Sequence, residues 1–79
     1  MKIYVKLKGR LSNFRDLKHI KNSIILDVGD NIKISDVLKK IEIPRKHIGL
    51  IVVNKKVVNI NMLLNEGDLL TLYPPIAGG

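Results

Sequence analysis

SIILDVGDNIKISDVLKKIEIP, residues 23–44, is the stretch that decides the fold. Ser23 to Val28 is a run rich in β-branched and aliphatic residues, stopped by the turn formers Gly29, Asp30 and Asn31, and reads as a strand. The period then changes. Ile34, Val37, Leu38 and Ile41 recur at i, i+3, i+4 and i+7, which places them on one face of an amphipathic helix of about ten residues. Lys39 and Lys40 fall on its wet side, and Asp36 sits in its first turn, where a negative charge complements the helix dipole. Pro44 closes the segment, because Ile43 before a proline is steered out of the helical region.

Upstream, Lys2-Ile-Tyr-Val-Lys-Leu-Lys8 alternates strictly. Ile3, Val5 and Leu7 face one way and Lys2, Tyr4, Lys6 and Lys8 the other, the period-2 pattern of a half-buried strand. Gly9 marks its exit. Residues 10–22 read as a long polar connection in which Leu11, Phe14 and Leu17 form a short helical turn. Downstream, Leu50–Asn54 is a buried-type strand, and Val57-Val58 resumes extended structure after a turn at Asn54-Lys55-Lys56. Residues 59–65 form a connector with Met62 and Leu63 or Leu64 in the core. Glu66-Gly67-Asp68 turns the chain, and Leu69–Tyr73 is a last strand that Pro74-Pro75 cannot extend, since proline has no N–H for a ladder.

A helix with one apolar stripe must bury it against a sheet. The order β-β-α-β-β-β then describes an α+β fold, a β-grasp (ubiquitin-like) roll, with one mixed sheet packed against one main helix. The expected domain is residues 1–73, followed by a flexible extended tail, residues 74–79.

Composition narrows the chemistry. The 79 residues hold no cysteine and only two histidines, so thiolate chemistry is excluded and a triad or metal cage has almost nothing to draw on. Folding a chain this short buries only about 60–65% of the surface the unfolded chain exposes, which leaves no room for a large enclosed site. No apolar run approaches the length of a membrane span. The N-terminus alternates charge and bulk rather than carrying a signal-peptide apolar block, so a cytoplasmic protein with no membrane partner is expected. No Gly-x-x-x-x-Gly-Lys-Ser/Thr loop is present, so the sequence offers no P-loop for nucleotide phosphates. The net charge of +7 is unevenly spread: residues 1–56 hold all 14 basic and 5 acidic residues, and no side chain from Leu69 onward is charged.

The tail, Pro74-Pro75-Ile76-Ala77-Gly78-Gly79, is the most informative segment. Glycine leaves the terminal carboxylate unguarded, so a narrow channel in another protein can admit the backbone and reach that carbon. Six extended residues reach roughly 20 Å. The two prolines fix φ at the base of the tail and leave less freedom to lose on binding.

Glu66-Gly-Asp-Leu-Leu-Thr-Leu-Tyr-Pro-Pro-Ile-Ala-Gly-Gly79 resembles the C-terminus of the MoaD/ThiS family of sulfur carriers, with its Gly-Asp turn, apolar strand, aromatic residue, Pro-Pro and closing Gly-Gly. Val53-Asn54 and Val57-Val58 resemble that family's Val-Asn…Val core. The resemblance implies a protein that serves as a cofactor. An E1-like adenylyltransferase partner (MoaB/MoeB/ThiF type) adenylates the Gly79 carboxylate with ATP. A sulfur donor then supplies the atom that makes it a thiocarboxylate, which a second enzyme consumes. Gly79 is thereby the reactive residue, and Pro74, Pro75, Ile76, Ala77 and Gly78 enter the partners' active sites. The chain itself binds no cofactor and no metal, and is not an enzyme on its own. The Pro-Pro pair resembles the small subunit of molybdopterin synthase more than the thiamine-pathway carrier. On that resemblance Tyr73 and Val57 contact a large subunit, with Tyr4 and Lys6 on the same face. Lys6 departs from that pattern, which often has an apolar residue there. Lys55-Lys56 departs too, standing where Gly-Lys is common.

Two other readings stand beside the sulfur carrier. One is a ubiquitin-like modifier joined to other proteins through Gly79. The other is a basic nucleic-acid-binding module, which three aromatic residues and the lack of any recognition motif disfavour. The basic surface instead suits acidic partners, whose encounter it speeds, with Lys6, Lys8, Lys55 and Lys56 nearest the partner-facing sheet. His19 and His47 read as surface histidines.

Overall fold

The computed structural model describes residues 1–9, 11 and 23–76. Within them the chain forms β1 (Lys2–Leu7), β2 (Ser23–Asp27), α1 (Ile34–Lys40), a short 3-10 helix (Arg45–His47), β3 (Leu50–Val53), β4 (Lys56–Val57) and β5 (Leu69–Tyr73). The strands make one sheet in the order β2-β1-β5-β3-β4. β1 is antiparallel to β2 and parallel to β5, while β3 is antiparallel to both β5 and β4. This is the mixed sheet and crossing helix of a β-grasp, the architecture read from the sequence.

Alternation along β1 sends Ile3, Val5 and Leu7 into the core. They meet Leu70 and Leu72 of β5, Ile51 and Val53 of β3, and the stripe of α1, Ile34, Val37 and Leu38, continued by Ile41. Burying each such side chain contributes about 1.5–3 kcal/mol. Leu11, just past β1, is also buried. Phe14, Leu17 and His19 lie outside the described residues, so the helical turn expected there does too. In the connector Leu64 enters the core while Leu63 is exposed. The Ile60 and Met62 carbonyls accept N–H groups from Ser35 and Ile34, tying the connector to the start of α1.

α1 has 7 residues, shorter than the expected ten, and it stops before Pro44 has any effect. Glu42 takes φ 60. The Glu42 N–H then donates to the Lys39 carbonyl and the Ile43 N–H to that of Leu38, a Schellman ending. Ile43 is buried, so apolar burial just past the helix, not the proline, sets where it ends. At the other end the Asp36 carboxylate accepts the Lys33 N–H at 3.0 Å.

Candidate functional site

With one face of the sheet covered by α1, the other is open, and the registers say what stands on it. Ile25, Tyr4 and Leu69 are opposite one another on β2, β1 and β5. Lys6, Thr71, Val52 and Val57 form the next row, across β1, β5, β3 and β4. Tyr73 and Leu50 form the third. Tyr4 (40% exposed), Ile25, Leu50, Val57 (68%), Leu69 and Tyr73 are all exposed apolar or aromatic side chains. Thr71 is only 8% exposed, because it stands at the centre of the face between Lys6 and Val52. Six large apolar residues on one face make the kind of contiguous patch that marks an interaction surface rather than a scatter of single residues.

The four residues singled out from the sequence, Tyr4, Lys6, Val57 and Tyr73, thus share this face. Ile25, Leu50, Val52 and Leu69 share it as well, which the local sequence pattern does not show. Ile24-Ile25-Leu26 and Leu50-Ile51-Val52-Val53 are unbroken apolar runs, in which alternation is invisible and only the register tells inside from outside. One expectation is corrected. Lys56 pairs with Val53, whose side chain enters the core, so Lys56 projects from the opposite side of β4 to Val57 and away from the open face.

The tail leaves from the edge of the same face. β5 lies between β1 and β3, and its end is held on both sides: the Lys8 N–H donates to the Leu72 carbonyl at 2.9 Å and the Gly49 N–H to that of Tyr73 at 2.8 Å. Gly49, Leu50, Tyr73, Pro74, Pro75 and Ile76 line an open, mainly apolar hollow of ≈ 740 Å³. Ile76 itself is 89% exposed. Ala77, Gly78 and Gly79 lie outside the described residues. Among the described residues no three His, Asp or Glu side chains gather to hold a metal ion, and no helix is long and apolar enough to cross a membrane.

A family model described as Mut7-C ubiquitin matches residues 1–78. No curated protein sequence matches the chain. Among known structures the fold is similar to SAMP1 from Haloferax volcanii, at TM-score 0.74 and 20% identity, with 100% of both chains covered. It is similar to molybdopterin converting factor, subunit 1, from Pyrococcus furiosus, at TM-score 0.75 and 18% identity, covering 96% of this chain and 99% of that one. It is also similar to a chain in the complex of subunits 1 and 2 of the molybdopterin-converting factor from Helicobacter pylori, at TM-score 0.63 and 21% identity, with 100% of each chain covered. The fold is therefore the ubiquitin-like MoaD/ThiS type that the last thirty residues resemble.

Proposed function

The chain belongs to the Mut7-C ubiquitin family, and from that premise we propose that it is a sulfur carrier whose reactive group is the carboxylate of Gly79. A small ubiquitin-like carrier or modifier is what the fold supports, since its neighbours of that size are such proteins. The observation that carries the finer reading is the junction of two features. The tail Pro74-Pro75-Ile76-Ala77-Gly78-Gly79 continues directly from β5, and β5 is the central strand of an exposed apolar face.

In this reading the open face docks on a partner through Tyr4, Lys6, Val57 and Tyr73, aided by Leu50 and Leu69, and the tail reaches into that partner's active site. An E1-like enzyme supplies ATP and the acid–base groups. The Gly79 carboxylate oxygen attacks the α-phosphorus and pyrophosphate leaves; hydrosulfide delivered by a sulfide-level donor then attacks the acyl carbon and displaces AMP to give the thiocarboxylate. A carboxylate alone is a poor electrophile, so the adenylate is the necessary intermediate. The acceptor we favour is the large subunit of molybdopterin synthase, because a structural neighbour is complexed with subunit 2 of the molybdopterin-converting factor.

A second reading, a protein modifier joined through Gly79, is favoured by the likeness to small archaeal modifier protein 1. Intact-mass spectrometry after incubation with the E1-like enzyme, ATP and a sulfur donor separates the two. Exchange of one oxygen for sulfur on the wild type, and none on a variant lacking Gly79, supports the carrier. Isopeptide adducts on lysines of other proteins support the modifier, and an unchanged mass overturns the carrier. Stable binding to a thiamine thiazole synthase, rather than to the molybdopterin-synthase large subunit, would move the protein to the thiamine branch.

A further inference from the structure

The two glycines that face the base of the tail differ from the others in the described chain. An added Cβ on Gly29 or Gly67 would meet nothing within 4 Å. On Gly49 it would lie 2.6 Å from the Pro74 carbonyl oxygen, 2.6 Å from the Pro75 Cα and 2.8 Å from the Pro74 carbonyl carbon. All three atoms are backbone and cannot rotate away. Gly49 does not take a positive φ, so what requires glycine there is space alone. From the opposite side Gly9, at φ 55, would bring a Cβ to 3.1 Å from Pro74 Cγ.

We infer that Gly9 and Gly49 are positioning residues, a two-sided seat for Pro74-Pro75 that sets the direction in which the chain leaves the sheet beyond Tyr73. Gly9 follows β1 and Gly49 precedes β3, the two strands that flank β5, so the seat continues the sheet past the point where proline ends its ladder. Two hydrogen bonds, Lys8 N–H to Leu72 and Gly49 N–H to Tyr73, hold the approach to it. With φ of both prolines preset and their backbone seated, the stem is ordered before any partner is met, and the ordering cost at binding falls on fewer residues. Carbon contacts want about 3.5–4.0 Å, so a methyl group on Gly49 must push the stem outward by about 1 Å.

The inference rests on the reading of the tail as the reactive end, but the seat can be read without it. In the wild-type protein an NMR cross-peak between the α protons of Gly49 and Pro75 is expected, and its absence overturns the seat. For function, ATP–pyrophosphate exchange is measured with the E1-like enzyme. In Gly49→Ala the rate at saturating carrier falls by about a hundredfold, as an ångström of misplacement does elsewhere. The half-saturating concentration changes little, because the docking face is intact. A role confined to stability would lower the melting temperature without dividing the two constants in this way. Gly29→Ala is the control and leaves both unchanged. Gly9→Ala, whose clash is milder, lowers the saturated rate by a smaller factor and decides the case if Gly49→Ala does not fold. An unchanged saturated rate in a folded Gly49→Ala or, failing that, Gly9→Ala overturns the assignment. If the wild type itself supports no exchange while the cross-peak is present, the carrier reading fails and the seat stands.

Discussion

Asp68 carries a larger structural role than its place in a turn implies. It is buried, and its two carboxylate oxygens accept from the Asn54 side-chain amide at 2.9 Å and the Asn65 N–H at 2.8 Å. Asn54 in turn accepts the Leu69 N–H at 3.0 Å. These bonds join the turn after β3 to the start of β5, so the Asn of the Val53-Asn54 pair serves the sheet rather than any reaction. Hydrogen bonds to a charged group contribute about 1.5–3 kcal/mol. Asp68→Ala is accordingly expected to lower the unfolding free energy by about 2–3 kcal/mol in urea denaturation. Asp68→Asn, which keeps one acceptor oxygen, should cost less. Turn chemistry alone pointed to Asp68, but its partner lies 14 residues away, a distance no local rule spans.

At the scale of elements, two tight endings use residues that are not glycine. Asn54 and Lys55 have φ 50 and 74 between the paired Val53 and Lys56, the signature of a two-residue type I′ hairpin. Lys55 occupies the second central position, where the type strongly favours glycine. That is the physical meaning of Lys55 standing where the resemblance to the sulfur carriers would place glycine. Glu42 makes the same left-handed turn after α1. A left-handed conformation costs an L-residue about 1–2 kcal/mol, offset in part by the backbone entropy glycine loses on folding. Lys55→Gly and Glu42→Gly are each expected to raise the unfolding free energy by about 1 kcal/mol, and a lower midpoint for either would contradict the turn assignment. The helix stripe and the alternation of β1 were legible because each repeats over several residues. The end of α1 was not, because burial of Ile43 outweighs both the missing glycine and the signal from Pro44.

At the scale of the whole molecule, a mainly apolar face stands on a basic body, with Lys6 the charged side chain in its middle row. The uncharged β5 runs through the middle of an apolar face, on a body whose net charge is +7. Tyr73→Lys places a charge at the end of that face while leaving the core untouched. It is expected to weaken the proposed complex with a molybdopterin-synthase large subunit by about tenfold or more in calorimetry, as loss of an aromatic anchor does, with the melting temperature unchanged. The association rate should fall as salt is raised, because long-range attraction between charges is screened beyond about 8–10 Å. A rate indifferent to salt would assign the basic surface to solubility alone. The sequence by itself determined the class of fold and the inward face of β1 and α1, because each is written in local periodicity or in consecutive residues. Only the tertiary structure decided that Ile25, Leu50, Val52 and Leu69 stand with Tyr4 and Tyr73, and that Gly9 and Gly49 meet across Pro74. Those relations depend on strand order and register between segments far apart in the chain, and a one-residue slip would reverse every one of them.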